Sequence, residues 1–213
     1  MSCSTRLSPA EPRRMGHRRG RAAVAAMLSA VALASALSLP AAAATQATAA
    51  SPHGILAPDH VRRHIDDARP LGDGRLTWFG LHLYDAQLYV PRAFDAANPA
   101  AQPFALELTY ARSLDGRAIA ERSRDEIARL KFGSEAQLAR WLADMAAIFP
   151  DVKPGQRLAG IYRPGSGTRF YLDGRFLGEI ADPEFGRAFF AIWLDPRTSA
   201  PELRAALLKR PAT

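Results

Sequence analysis

Three hydroxyl groups, those of Tyr84, Tyr110 and Ser123, are the side chains of this sequence best placed to bind a small molecule. Tyr84 stands on the mostly apolar face of a predicted strand, Tyr110 ends the apolar face of the next strand, and Ser123 interrupts the apolar stripe of the following helix. All three are therefore expected to point into the same space between a sheet and its helices. A few polar groups that converge in an apolar cavity are typical of a ligand pocket.

A purely structural explanation of the same residues stays open. Tyrosine commonly buries its ring and leaves the hydroxyl at the rim of the core. The hydroxyl of a serine within a helix can bond the carbonyl oxygen four residues earlier. The positions of Tyr84, Tyr110 and Ser123 thus fit either a pocket or ordinary packing.

Other patterns that could support catalysis or metal binding are weak. His60 and His64 are four residues apart, but no glutamate or cysteine completes a zinc motif, so we predict no metal site and no cofactor. Ser166 lies in a Gly-Ser-Gly turn between two predicted strands, whereas a nucleophilic serine of the G-x-S-x-G type lies between a strand and a helix. No catalytic residue is therefore assigned.

Hydrophobic periodicity predicts the elements that position these residues. Residues 104–110 alternate apolar and polar side chains, which indicates a half-buried strand. Residues 76–90 predict two strands, or one long bent strand interrupted at Gly80. A further strand is expected at 158–163, and Asp173-Gly174 predicts a tight hairpin turn after it. Strands that are grouped, rather than alternating with helices, indicate an α+β fold with an antiparallel sheet.

Four capping patterns predict where the helices begin. They are Asp115 before residues 116–130, the capping box of Ser134 and Gln137, Asp182 before Pro183, and a second capping box of Ser199 and Glu202. The helix after Asp182 carries a Phe-rich stripe and contains no group suited to catalysis, so we expect it to form a wall of the core.

The N-terminal residues predict an export signal. A basic stretch, the apolar run 22–39 and small residues suited to a signal peptidase after it indicate that residues 1–44 are a signal peptide. An uncleaved membrane anchor is the alternative. The protein is thus expected in the periplasm, with no stable membrane span after cleavage. Residues 45–70 are expected to form a flexible N-terminal segment and residues 71–210 a single domain.

The charge of the chain gives no reason to expect nucleic acid as a partner. The chain has 28 basic and 21 acidic residues, a net charge of +7, but residues 1–44 contain six arginines and one acidic residue. The remaining residues therefore have a net charge of only +2, with the two signs interleaved. The one cysteine, Cys3, lies in the predicted signal, so neither a disulfide nor thiol chemistry is expected in the mature protein.

Three stretches resemble the bacterial, exported branch of the chalcone isomerase-like family: GRLTWFGLHLYDAQLYVPRAF, FALELTYARSLDGRAIAERS and GRFLGEIADPEFGRAFFAIWLDP. The resemblance spans Leu71 to Leu208, which is almost all of the expected domain. It implies a large antiparallel sheet packed against a layer of helices, with a ligand cleft between the two layers.

The resemblance also bears on function. Plant chalcone isomerases use an arginine, a threonine and a tyrosine in the cleft to assist a ring closure. Tyr84 stands at the position resembling the threonine, and residues 114–117, which resemble the region of the catalytic tyrosine, contain no tyrosine. Relatives that bind fatty acids hold the carboxylate with an arginine and a tyrosine, which would here be Tyr84 with Arg75 or Arg117. The resemblance thus implies non-catalytic binding of a small apolar or fatty-acid-like ligand.

Two other functions stay open. One is an isomerase or lyase that acts on an unidentified substrate with Tyr84 as general acid. The other is an interaction module of the cell envelope whose cleft is filled by its own side chains. The expected ligand site comprises Tyr84, Tyr110, Ser123, Arg75 and Arg117.

Overall fold

The structure, a computed structural model, describes residues 57–209 as a six-stranded antiparallel sheet with five α-helices. The strands lie in the sheet in the order in which they occur in the sequence. Their bounds are β1 Arg69–Trp78, β2 Leu81–Val90, β3 Phe104–Tyr110, β4 Arg157–Arg163, β5 Gly167–Leu172 and β6 Arg175–Ile180. The helices are α1 Asp59–Arg62, α2 Gly116–Arg129, α3 Glu135–Ile148, α4 Pro183–Leu194 and α5 Pro201–Leu207. The predicted α+β class is confirmed, while the predicted signal at residues 1–44 lies outside the described residues.

Two hairpins turn through two residues that both have positive φ. Between β5 and β6, Asp173 and Gly174 have φ of 49° and 80°, so the predicted hairpin is confirmed. Between β1 and β2 the turn consists of Phe79 and Gly80, with φ of 47° and 76°, so residues 76–90 belong to two strands. Aspartate and glycine suit this conformation, whereas phenylalanine adopts it at an energetic cost.

The main hydrophobic core lies between one face of the sheet and helices α2–α5. Helix α4 packs on β4 and β5, and Gly160 lets the ring of Phe190 approach, since a Cβ there would lie 3.0 Å from a ring carbon. Helix α5 packs on β1, where a Cβ on Gly72 would lie 2.2 Å from the carbonyl oxygen of Ala206. The close approach of helices to glycines in the sheet thus fixes where the helical layer lies.

Three of the four predicted helix caps are confirmed. The Asp115 side chain accepts a hydrogen bond from the backbone N–H of Ala118, and Ser134 and Gln137 form the expected capping box. The fourth prediction, a capping box of Ser199 and Glu202, is wrong. Helix α5 starts one residue later, with Ala200 as N-cap, because the Ser199 hydroxyl instead donates to the buried Glu126 carboxylate over 3.1 Å.

The opposite face of the sheet is covered by residues 57–68. Their apolar side chains form a second cluster with sheet residues; its members are Ala57, Val61, Ile65, Ala68, Ala105, Ala159, Ile161 and Tyr171. Residues 57–70 therefore differ from the flexible segment expected for them. The helical spacing of Val61 and Ile65 is interrupted by arginines, histidines and aspartates, which hides this apolar face in the sequence.

Asp182 joins helix α3 to helix α4. Its side chain accepts hydrogen bonds from the backbone N–H groups of Glu184 and Phe185 and thereby caps α4. It also accepts from Arg140 over 2.8 Å and from the indole Nε1 of Trp141 over 2.9 Å. Burial opposes ionisation, but the hydrogen bonds from Trp141 and the other donors hold the pKa of Asp182 below its usual range.

We predict that Asp182→Ala lowers the free energy of unfolding by about 2–3 kcal/mol, because it removes a helix cap and leaves the buried Trp141 N–H without its acceptor. Urea denaturation at neutral pH measures the change. Asp115→Ala serves as the matched control, since Asp115 caps α2 with one backbone hydrogen bond and should cost about 1 kcal/mol. Equal effects of the two substitutions would show that Asp182 does not join the helices.

Candidate ligand-binding site

Tyr84 and Tyr110 lie side by side on the face of the sheet that contacts the helices. They are directly paired in the register of β2 and β3, and their ring centroids are 5.9 Å apart with an edge-to-face angle of 73°. Tyr110 is buried at 3 % exposure, and Tyr84 is half-buried at the edge of the same core. The predicted convergence of these two residues is therefore observed.

Trp193 is a third member of this group. It lies in the last turn of α4, and its indole Nε1 donates a hydrogen bond to the Tyr84 hydroxyl over 2.9 Å. The Phe-rich stripe of this helix predicted a wall of the core, and Trp193 was not among the expected site residues. The signal that could have identified it is the indole N–H, since a buried tryptophan usually finds an acceptor for this group.

Ser123 does not join the tyrosines through its hydroxyl. The side chain is buried in α2, but Oγ donates to the carbonyl oxygen of Ile119 over 2.8 Å. This hydrogen bond within the helix is the structural alternative that the sequence left open. Ser123 thus lies on the expected face of α2 but offers no free proton to a ligand.

The two arginines expected beside Tyr84 lie elsewhere. Arg75 pairs in register with Asp85, and its guanidinium donates to that carboxylate over 2.8 Å. Because side chains alternate along a strand, Arg75 and Asp85 are on the face of the sheet opposite to Tyr84. Arg117 is exposed on α2 and donates to Glu121 over 2.9 Å. The structure therefore does not bring Arg75 or Arg117 to the tyrosines.

Arg122 is the arginine of α2 that lies near Tyr84. Its guanidinium carbon lies 5.0 Å from the ring centroid of Trp78, at the end of β1, and it forms an ion pair with Glu126. Glu126 is 5 % exposed and has two more partners, Arg129 at 2.8 Å and Ser199 at 3.1 Å. A cation and a buried anion thus flank Tyr84 on the α2 side.

The environment keeps both tyrosines protonated. Burial raises the pKa of Tyr84 to about 12; the Trp193 hydrogen bond and the Arg122 charge oppose this shift, and the Glu126 charge adds to it. Burial, with a smaller effect of Tyr84, also raises the pKa of Tyr110. Within the described residues neither hydroxyl proton has an acceptor, so both are available to donate to an oxygen of a ligand.

The space around these residues is largely filled. Phe189 packs edge-on against Trp193 with ring centroids 5.3 Å apart, and Trp193 itself is only 7 % exposed. Two surface grooves lie elsewhere. One of about 610 Å³ lies between α3 and β6 beside Asp182, and one of about 560 Å³ lies over Arg75 and Asp85. A ligand that reached Tyr84 would therefore have to displace an aromatic side chain, of which Trp193 is the nearest.

The histidines have structural partners. His60 Nε2 lies 3.2 Å from the buried Glu107 carboxylate, and His64 Nε2 shares a hydrogen bond of 2.7 Å with the Tyr171 hydroxyl. In the part of the chain that the structure describes, no three metal-ligating side chains come together, and no helix has the length and apolar character to cross a bilayer.

Comparisons with known proteins identify a family, a bacterial relative and a solved structure of the same fold. The sequence model of a family described as chalcone isomerase-like matches residues 71–209. An uncharacterized protein of Haemophilus influenzae is 31% identical over 140 residues, which cover 66% of this chain and 67% of that protein. The crystal structure of a fatty-acid binding protein of Arabidopsis thaliana has the same fold, with a TM-score of 0.52 and 13% identity over 67% of this chain and 87% of that one.

The raised pKa of Tyr84 predicts a loss of stability in alkaline solution. Between pH 10 and pH 12 the unfolded chain releases the Tyr84 proton while the folded chain keeps it, so the free energy of unfolding falls by about 1.4 kcal/mol per pH unit for this group. Urea denaturation at several pH values measures this slope.

Tyr84→Phe should make that slope shallower, and at pH 7 it should cost only the Trp193 hydrogen bond, about 1 kcal/mol. Absorbance at 295 nm, which follows tyrosinate formation in the folded protein, should show one late-titrating group fewer in the variant. An unchanged slope and titration curve would mean that Tyr84 is accessible to water.

Proposed function

The chain belongs to the chalcone isomerase-like family, and we propose that it binds a small, largely apolar, carboxylated ligand of the fatty-acid type without converting it. Tyr84 and Tyr110 donate hydrogen bonds to the polar head, Arg122 provides the opposite charge, and the aromatic side chains around them contact the apolar part. We also propose, from the N-terminal residues 1–44, that the protein is exported and acts in the periplasm.

The observation that carries this proposal is the pair of protonated tyrosines at the edge of an apolar core. A carboxylate oxygen is a strong acceptor, and a hydrogen bond to a charged group is worth about twice a neutral one. The hydroxyls of Tyr84 and Tyr110 need no rearrangement of their own strands to donate, because the register of β2 and β3 already sets them side by side.

Arg122 can change partner without leaving a buried charge alone. If the guanidinium turns from Glu126 to a ligand, the Glu126 carboxylate keeps Arg129 and Ser199 as donors. Removing one partner of a buried ion pair is usually costly because the other charge stays uncompensated. The additional donors around Glu126 reduce that cost.

The comparison with solved structures supports the same class of ligand. The Arabidopsis protein that shares the fold is, by its name, a fatty-acid binding protein. Residues 114–117 contain no tyrosine at the place where the family's isomerases have a catalytic one. With a pKa of about 12, Tyr84 is suited to donate a hydrogen bond and poorly suited to act as a base near neutral pH.

Trp193 controls access in this proposal. Its indole occupies the position next to the Tyr84 hydroxyl, so the ligand enters when this side chain turns away and gives up one hydrogen bond of 2.9 Å. The ligand head then takes the place of the indole N–H beside Tyr84. The binding affinity is lowered by the cost of opening, as it is for any protein whose binding-competent state is a minor one.

A second candidate function is favoured by the close packing of the same residues. Trp193 and Phe189 fill the space under Tyr84 with side chains of the protein itself, which is the arrangement expected of an envelope interaction module without a ligand. The two functions differ in one measurable property, because only a binder takes up a small molecule.

Native mass spectrometry of protein purified from its own host tests the proposal directly. We expect a fraction of the molecules to carry an additional mass that matches a fatty acid or a similar carboxylated lipid. Repeated recovery of ligand-free protein, together with no displacement of a fluorescent fatty acid, would favour the interaction module instead.

Four single variants test the assignment of the site by titration with a fluorescent fatty acid. We expect Tyr84→Phe to weaken binding by about fivefold to tenfold and Arg122→Gln by about tenfold or more, since hydrogen bonds to charged groups are the stronger ones. Arg117→Gln on the same helix and Arg75→Gln on the opposite sheet face are matched controls and should bind like the unaltered protein. Binding that weakens equally in all four variants would count against the site.

A further inference from the structure

The tip of the β1–β2 hairpin, residues 78–81, presents an unusual apolar surface. Trp78 is 48 % exposed, Phe79 90 % and Leu81 49 %. Within the described residues only one other large hydrophobic side chain, Phe176 at 52 %, is comparably exposed. Single exposed apolar residues are common, but three at the end of one projecting turn form a patch.

The turn itself gives an independent reason to assign the tip a role. Phe79 has φ of 47°, a left-handed conformation that is unfavourable for a side chain of this size. The turn of the same kind between β5 and β6 has Asp173 at the corresponding position, the residue type that such turns favour. The phenylalanine therefore opposes local folding, and its ring contributes only an edge contact with the Trp78 ring, 5.2 Å between centroids.

The charges nearest the tip are mostly cationic. Arg122 lies over the Trp78 ring, and Arg112 is exposed next to Ala111, whose N–H bonds the Leu83 carbonyl two residues beyond the tip. In the described part of the chain Arg112 forms no ion pair. The carboxylate of Asp85 is already engaged by Arg75 and His82, and Glu126 is buried. An anionic surface that approached the tip would therefore face arginine side chains around an apolar patch.

The size and shape of the tip favour a lipid surface over a protein partner. Three partly exposed apolar side chains offer a few hundred Å² at most, since an aromatic side chain buries about 150–250 Å². A stable protein interface buries about 800 Å² on each partner. The tip also borders open space, since no atom lies within 4 Å of where a Cβ of Gly80 would be. Tryptophan, phenylalanine and leucine beside arginines are the composition of segments that insert at a membrane–water interface.

We propose that the tip of the β1–β2 hairpin docks on the surface of an anionic membrane, with Phe79 and Leu81 inserted at the level of the headgroups and Arg112 on lipid phosphates. This docking does not depend on the ligand site described above, because the Phe79 side chain is 90 % exposed and its aromatic contact is with Trp78. It places Trp78, and Arg122 over its ring, next to the membrane.

Intrinsic fluorescence can follow the docking because the three tryptophans of the chain differ in exposure. Trp141 and Trp193 are buried at 1 % and 7 %, so only Trp78 is accessible to a quencher in the lipid. Vesicles of phosphatidylethanolamine and phosphatidylglycerol with a brominated acyl chain should quench Trp78, and phosphatidylcholine vesicles should quench it less. Absence of quenching by the anionic vesicles would overturn the proposal.

Phe79→Asn is the decisive variant. Asparagine favours the turn conformation, so the variant should fold at least as stably as the unaltered protein, while losing the inserted ring. We expect it to bind anionic vesicles about tenfold more weakly or worse in co-sedimentation. Phe176→Thr, which removes the other exposed ring and retains a strand-forming residue, is the control and should leave binding unchanged.

Two further outcomes decide against the membrane. If Phe79→Asn binds vesicles as well as the unaltered protein, the tip is not the docking point. If light scattering shows that the unaltered protein dimerises and that Phe79→Asn is monomeric, the tip contacts a second copy of the chain. Both proteins carry the same N-terminus, so any lipid affinity of residues 1–44 cancels in the comparison. Binding of the fluorescent fatty acid in solution should be equal for the two, which separates this test from that of the ligand site.

Discussion

Helix α4 is held at both of its ends, by helix α3 at the first turn and by the sheet at the last, and the position of the candidate site depends on this placement. At the first turn Asp182 caps the helix and binds Trp141 and Arg140 of α3. At the last turn Trp193 donates to Tyr84 of β2. The phenylalanines between these ends pack on β5 and on each other, so a shift of the helix along the sheet would break contacts at every step. The Tyr84–Trp193 contact is thus a consequence of how the whole helical layer is anchored.

The two faces of the sheet use their polar residues differently. On the face covered by residues 57–68, polar side chains lie in pairs: His60 Nε2 is 3.2 Å from the Glu107 carboxylate, and His64 shares a hydrogen bond with the Tyr171 hydroxyl. Burial lowers the pKa of His64, which suits a neutral imidazole that accepts the Tyr171 proton. The helical face leaves the protons of its two adjacent tyrosines without acceptors among the described residues. Two hydroxyl donors are therefore available on the side where the family resemblance implies a cleft.

The sequence predicted those features that depend on local interactions. Strand alternation at residues 104–110, the Asp173-Gly174 turn and three helix caps are set by neighbouring residues, and all were confirmed, as was the family.

Features that depend on distant contacts were harder to predict. Arg75 was expected beside Tyr84, but the register of β1 on β2 puts it on the opposite face. Arg122 and Trp193 reach the site through the packing of α2 and α4 on the sheet, and the patterns within the two helices do not say which strand residue each one meets. The start of α5 was misplaced for the same reason, because a buried carboxylate from α2 takes the Ser199 hydroxyl.

The two tight hairpins show how a local rule can indicate function. Both turns have the same backbone conformation, and both end in glycine. In the β5–β6 turn Asp173 also bonds the backbone N–H of Arg157 and the side chain of Gln156, so this residue stabilises the sheet in two ways. In the β1–β2 turn Phe79 provides no such bond and points into solvent. A residue that neither favours its turn nor fills the core does not contribute to folding, so its side chain is best explained by a contact outside the molecule. The same end of the sheet holds Trp78, and Arg122 of the ligand site lies over its ring, so the two proposed activities would share one edge of the protein.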